Sequence, residues 1–343
     1  MKPPVTDPGS ILAFRDRQVA VELLAAAIVH FDFFTWLDGT GGASSTDVCK
    51  HFGFHERPVD VLLTLCRSHG YIETGTEAIH RTTLQAKEHL VSTSPWFLGP
   101  YYLPLKESSF VADFVKILKT GKPANWRSEE DGADWHDSML SEDFARDFTA
   151  LMDCRGLAFG QNLALKLEPE LKNCSRVLDV GGGSGVYAQS FVSAHPHLNA
   201  VVLEQAPVDK IAQNLISERG LADAVQVCTG DMFQDQWPAD CDVHLLSNLL
   251  HDWDFPEIEQ ILQKSAESLP KGGMLVIHQA FLNDDKTGPV AAAEYSTLLM
   301  HITRGRCYSR AELVPFLRQA GFRPESAGDT LASRGYLTAI REG

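Results

Sequence analysis

A chain of 343 residues with 44% hydrophobic and 22% charged side chains is long enough for two domains and too apolar for a disordered tail or a disulfide-stapled miniprotein. Asp and Glu number 45 against 30 Lys and Arg, a net charge of −15, which argues against broad binding to a phosphate backbone, because that affinity rests on clustered cations. The seven cysteines are scattered without a CxxC pair, so they supply neither a zinc site nor a disulfide framework and suit a reducing compartment.

The first residues, Met1-Lys2-Pro3-Pro4-Val5, lack a cationic start followed by an apolar stretch. The longest apolar run, Leu23 to Val29, is too short to span a bilayer. The expectation is a cytoplasmic protein with no membrane partner. From Phe14 to Trp36 apolar residues recur at helical spacing, which predicts one amphipathic helix ending at the turn-rich Gly39 to Ser45. A short helix follows at Val48 to Phe52 and another at Arg57 to Ser68. Gly70 to Glu73 and Ile79 to Thr82 then read as a small hairpin. Three helices and a hairpin make a winged-helix arrangement over residues 1–95. Its third helix carries only Arg57 and Arg67 as cations, so DNA recognition is disfavoured. The apolar excess before it, from Val19 to Phe34, exceeds what one small domain can bury and points to a homodimer interface.

Residues 96–172 read as a helical, aromatic-rich linker. Ser141 caps a helix whose stripe of Phe144, Phe148, Leu151 and Met152 is core or lines an apolar ligand pocket. From residue 173 to 343 short β-rich runs (Val177–Val180, Ala200–Leu203, Val225–Cys228, Val243–Leu246, Met274–Ile277) alternate with helical segments. That alternation predicts an α/β fold with a doubly wound, Rossmann-like parallel sheet.

The strongest signal is Asp179-Val180-Gly181-Gly182-Gly183-Ser184-Gly185 between a strand and a helix, where glycine lets the backbone approach a ligand closely. Glu204 ends the next strand, where a carboxylate can accept hydrogen bonds from two ribose hydroxyls. Gly183 to Ala188 also satisfies the G-x-G-x-x-G/A dinucleotide pattern. The register argues against a dinucleotide, because Asp179 precedes the glycines and would repel a pyrophosphate. A sulfonium ligand such as S-adenosyl-L-methionine is favoured instead, and Asp231 in Gly230-Asp231-Met232-Phe233 supplies a third acidic strand end beside two apolar side chains.

With Leu250-His251-Asp252-Trp253, Pro270-Lys271-Gly272-Gly273 and Ala320-Gly321-Phe322 added, the sequence resembles the class I S-adenosylmethionine-dependent methyltransferases. Within them it is similar to the plant and bacterial small-molecule O-methyltransferases with an N-terminal winged-helix dimerisation domain. The resemblance implies that His251 is the general base, that Asp179 and Gly181 hold the methionine part of the cofactor with Gly183 in the same loop, that Glu204 holds the ribose, and that Asp231 with Met232 holds the adenosine end. Ser247 stands where the family carries a basic residue four positions before the histidine and is grouped with the cofactor residues. The family's two glutamates that orient the histidine are replaced by Gln279, after the last of those strands, and Cys307. A phenol is a poor nucleophile at neutral pH, and an imidazole can take its proton as the methyl group transfers in line.

Met152, Gln279 and His301 are the candidate substrate residues, and the acceptor is an aromatic or polyketide-like hydroxyl. Asp254, Pro256 and Glu257 read as a helix start. No metal is expected, although His251, Asp252 and His301 are of types that hold iron in some relatives. C-methylation on the same fold, a winged-helix cofactor sensor and a nicotinamide dehydrogenase are the rival readings.

Overall fold

In a computed structural model of the chain, residues 4–124 and 138–342 are described. They form two compact units, each assembled from separated segments: residues 11–124 with 282–309, and residues 4–10, 138–281 and 310–342. Part of the 96–172 linker, residues 125–137, lies outside the described residues.

In the first unit the single long helix expected from Phe14 to Trp36 is broken. Arg17–Val19 is a 3₁₀ turn, Ala20–Val29 a helix, and Phe33–Gly39 a second helix entered through Asp32 at φ +44. The left-handed residue bends the chain there by 56°, and both helices present apolar faces to one core. Among the described residues no single helix is long and apolar enough to cross a membrane. The segments Gly9–Val29 and Phe33–Gly39 pass that test only together, bent by 56°, and Leu23, Ala25, Ala26, Phe33 and Leu37 on them are fully buried.

Helices Ser45–Phe52 and Glu56–Ser68 precede an antiparallel hairpin of Ile72–Thr74 and His80–Thr82. Ser44 and Asp47 form a capping box at the first of them, which satisfies two end N–H groups reciprocally. The buried Arg57 is spent internally, donating to the carbonyl oxygens of Gly305 at 2.9 Å and Gly121 at 2.7 Å. It is unavailable for nucleic acid. The apolar excess that suggested a dimer interface is also absorbed: Val19, Leu23, Leu24, Ile28, Phe33 and Phe34 are buried within the chain, and Val21 alone of the group is exposed.

The second unit holds the sheet. Its strands are β1 (Arg176–Val180), β2 (Asn199–Glu204), β3 (Val225–Thr229), β4 (Val243–Ser247), β5 (Met274–Leu282), β6 (Phe322–Asp329) and β7 (Arg334–Arg341), in spatial order β3-β2-β1-β4-β5-β7-β6. The first five are parallel and β7 runs antiparallel to both neighbours. This is the expected α/β class with a doubly wound sheet. The order reverses between β1 and β4, and open α/β sheets bind ligands at such a switch point, beyond the carboxyl ends of the strands. Strand β5 is longer than expected, so Gln279 lies inside it rather than after it and is fully buried. An apolar β-branched run signals the start of such a strand, but the polar His278-Gln279 pair hides its continuation.

Candidate active site

The carboxyl end of β1 leads into the glycine loop. Gly181, Gly183 and Gly185 have φ of +60, +58 and +71, a left-handed region that side chains enter only at a cost. A Cβ on Gly182 would press on the Asp179 carboxyl and Val202 at 2.8 and 2.9 Å, whereas one on Gly183 would meet nothing within 4 Å. The loop is therefore packed beneath and open at Gly183. Asp179 is fully buried and accepts from the Ala188 N–H at 3.2 Å and the Ser247 hydroxyl at 3.4 Å. Burial pushes its carboxyl up to about 7, against the lowering effect of those hydrogen bonds.

Glu204, at the end of β2, accepts from the N–H of Gly183 at 2.9 Å and from its neighbour Gln205 at 2.9 Å. It too is pushed up to about 7, chiefly by desolvation. Two acidic groups at the edge of ionisation, facing a left-handed glycine loop with open space, suit a ligand that brings positive charge and hydrogen-bond donors. Ser184 in the same loop is buried, and its hydroxyl oxygen has no hydrogen-bond partner.

After β3, Asp231 accepts from the N–H groups of Phe233 at 2.7 Å and Gln234 at 3.3 Å. It closes an Asx turn that fixes the residue after it. Met232 is further held by the Trp237 indole N–H, which donates to its carbonyl at 2.8 Å. Its sulfur lies 3.8 Å from where a Cβ on Gly181 would stand, and Leu249 Cδ1 lies 3.0 Å from the same point. The ends of β1, β3 and β4 thus meet over Gly181.

His251 follows β4 on the 3₁₀ turn Leu250–Asp252 and is 2% exposed. Burial first, then the charges of Arg155 and Arg334 and the neighbouring His278, hold its imidazole well below the ordinary histidine range. Asp252 Oδ1 is 3.7 Å from His251 Nε2. The next residue pair behaves as the sequence suggested: Asp254 is the N-cap of helix Phe255–Ser268 and accepts from the Phe255 N–H.

Four residues that sequence reasoning missed, or weighed differently, support this turn. Asn248, at φ +49, donates through its amide to the Tyr187 hydroxyl at 2.9 Å, and its backbone N–H donates to the His278 carbonyl at 2.7 Å. Tyr187 in turn lies 3.2 Å from His278 Nδ1, and His278 Nε2 lies 2.8 Å from the Thr330 hydroxyl. His278 is buried and held down to about 3. It is therefore a neutral link in a polar chain rather than a group facing a substrate. Tyr187 carried a signal, falling two residues after the glycine loop. Thr330 and Arg334 carried none.

Of the candidate substrate residues, Met152 is half-buried on helix Glu142–Lys166, and Arg155 one turn on donates to its sulfur at 3.0 Å. Gln279 is buried with neither amide atom hydrogen bonded. His301 and Cys307 belong to the other unit. There His301 Nε2 is 3.1 Å from Asp113 Oδ2 between Phe110 and Phe114, and the Cys307 N–H donates to the Ser296 hydroxyl at 3.0 Å. Among the described residues no three His, Cys, Asp or Glu side chains are grouped to hold a metal ion.

A family profile described as an O-methyltransferase domain matches residues 115–323. The chain belongs to the O-methyltransferase family. Its methyl donor is S-adenosylmethionine, and its acceptor is a small molecule. The 3-hydroxy-5-methyl-1-naphthoate 3-O-methyltransferase of Streptomyces sahachiroi is 30% identical over 82% of this chain and 80% of its own. The L-tyrosine C(3)-methyltransferase of Streptomyces lavendulae is 27% identical over 88% of this chain and 83% of its own. An O-methyltransferase family 2 protein from Planctomyces limnophilus, solved in complex with apigenin, superposes with a TM-score of 0.88 at 30% identity, covering 99% of this chain and 98% of that one.

Proposed function

We propose that this methyltransferase acts on a hydroxyl of an aromatic or polyketide-like molecule and that His251 is its general base. The observation that carries the reading is the path of the segment after β4. Ser247, the last residue of β4, touches Asp179, Leu249 after it lies against Gly181, and His251 follows two residues later on a buried 3₁₀ turn, which supports a role for its imidazole next to the cofactor. Asp179 and Gly181 are assigned to the methionine end of S-adenosylmethionine, Gly183 and Glu204 to the ribose, Asp231 and Met232 to the adenosine end, and Ser247 to orienting Asp179. Met152, Gln279 and His301 are assigned to the acceptor. The cofactor supplies an activated methyl group on a sulfonium; the chain supplies alignment and removes the hydroxyl proton. A naphthoate and apigenin in the names of two relatives are planar phenols, which supports the acceptor class.

His251→Gln should retain S-adenosylmethionine affinity in calorimetry and lose about 100-fold or more in turnover. Unimpaired turnover removes the base from the mechanism. The C-methyltransferase among the relatives favours a second reading, transfer to ring carbon, and NMR of the product separates an O-methyl from a C-methyl.

We also propose that the chain pairs with a second copy of itself through its N-terminal half and works in the cytoplasm. The support for pairing is a run of exposed apolar side chains in the first unit, including Trp96, Leu98, Tyr101, Leu103 and Phe110. Monomeric proteins seldom leave so many large apolar groups together. Sedimentation of the wild type against Tyr101→Glu tests it. All seven cysteines are free, which supports the compartment.

A further inference from the structure

A chain of side chains fastens the glycine loop to the helices packed behind it. Gln189, in the first turn of helix Val186–Ala194, is 3% exposed. Its amide Nε2 donates to the Ser184 carbonyl at 2.9 Å, and its Oε1 accepts from the Arg219 guanidinium at 3.1 Å. Arg219 follows helix Val208–Glu218 and also donates to the Asp153 carboxylate on helix Glu142–Lys166. That long helix is pressed against the helix bearing Gln189: a Cβ on Gly156 would overlap Val186, and one on Gly160 would stand 2.8 Å from the Ser190 hydroxyl. The line Asp153, Arg219, Gln189, Ser184 therefore runs from a closely packed helix pair to the middle of the loop.

The order of donors and acceptors along that line is forced. A guanidinium only donates and a carbonyl only accepts, so the residue between them must offer one acceptor and one donor. An amide does; a carboxylate would set a lone pair against the Ser184 carbonyl. The loop needs such a hold, because Gly181, Gly183 and Gly185 all lie at positive φ and glycine gives up more conformational freedom on ordering than any other residue. The N–H groups of Gly181 and Gly183 are tied to Leu203 and Glu204, each at 2.9 Å, and Gln189 ties the Ser184 carbonyl. Resting on the assignment of this loop to S-adenosylmethionine, we propose that Gln189 and Arg219 are positioning residues for the methyl donor. They hold the loop in one shape before the cofactor arrives, so that binding does not have to order it. Both act through Ser184, and their removal lowers cofactor affinity rather than stability alone.

The test is titration calorimetry of the full-length protein with S-adenosylhomocysteine, which lacks the sulfonium charge, so that a new carboxylate behind the loop does not act by attracting it. Gln189→Glu keeps the shape of the side chain and an acceptor for Arg219, and removes the donor to Ser184. Its affinity should be about 10-fold weaker than that of the wild type. Arg219→Met should weaken binding by about 3- to 10-fold alone, and by less than about twofold when added to Gln189→Glu, because the two residues work through one carbonyl. A Gln189→Glu protein that binds within twofold of the wild type, whatever its melting temperature, has lost only a structural contact and overturns the proposal. Losses that multiply in the double variant overturn it too. Should Gln189→Glu fail to fold, Arg219→Met decides alone, with wild-type affinity as the contrary result. Unaltered affinity in Glu204→Gln would instead remove the whole loop from the cofactor site, a separate failure of the underlying reading.

Discussion

The backbone N–H of Gly183 donates to Glu204 Oε2 at 2.9 Å, so the open glycine of the β1 loop and the carboxylate ending β2 are one unit. Replacement of Glu204 by Gln should weaken S-adenosylmethionine binding by about 10- to 100-fold, the range expected for loss of charge-assisted hydrogen bonds of about 1.5–3 kcal/mol. Titration calorimetry measures it. An affinity unchanged within twofold would take the ribose role from Glu204.

Asp179 and Glu204 both sit near 7 in the free protein, above their ordinary values. The folded, ligand-free protein thus binds protons that the unfolded chain has released. Stability from these two groups is fully present below their unfolded values, in the ordinary carboxylate range, and is lost as pH rises from there through about 7. A cationic ligand reverses the preference and ionises them. Binding of S-adenosylmethionine at pH 7 should release protons, seen as a binding enthalpy that depends on the buffer's ionisation enthalpy, and affinity should weaken as pH falls from 8 to 6. A buffer-independent enthalpy would contradict it.

Tyr187→Phe removes the hydroxyl shared by Asn248 and His278. The buried His278 and the half-buried Asn248 are then left with one partner fewer, and the expected loss is about 1–3 kcal/mol in chemical denaturation. Because Asn248 opens the turn to His251, turnover should fall more than cofactor affinity. A fall in affinity alone would show that the chain serves the glycine loop instead.

Arg57→Met should cost about 2–4 kcal/mol, because Arg57 satisfies carbonyls at Gly121 and Gly305 on segments far apart in sequence. The melting temperature reports it. A neutral effect would mean that the carbonyls find other donors.

Legibility in the sequence followed the range of the interaction. The strand-glycine-helix turn at Asp179 to Gly185 and the acidic ends at Glu204 and Asp231 are local, and the structure brings them to one sheet edge as the alternating pattern implied. The break at Asp32 was invisible because helical periodicity runs through it; only the core tells the chain to turn there. The extent of β5 was hidden by His278 and Gln279, polar residues whose burial depends on Tyr187, Thr330 and β7.

The division of the chain into interleaved units has a consequence for its birth. Arg57 waits for the carbonyl of Gly305, and Asp60 for Lys286 at 2.8 Å and Arg306 at 3.0 Å, all beyond the sheet's fifth strand. On a ribosome the early helices emerge with these partners unmade. They must persist for roughly 12–50 s of synthesis at about 5–20 residues per second before Gly305 and Arg306 arrive. Neither unit can be cut out as an uninterrupted piece of chain, and a stop codon before residue 286 leaves an N-terminal part whose buried Arg57 and half-buried Asp60 have lost the groups they were placed to meet.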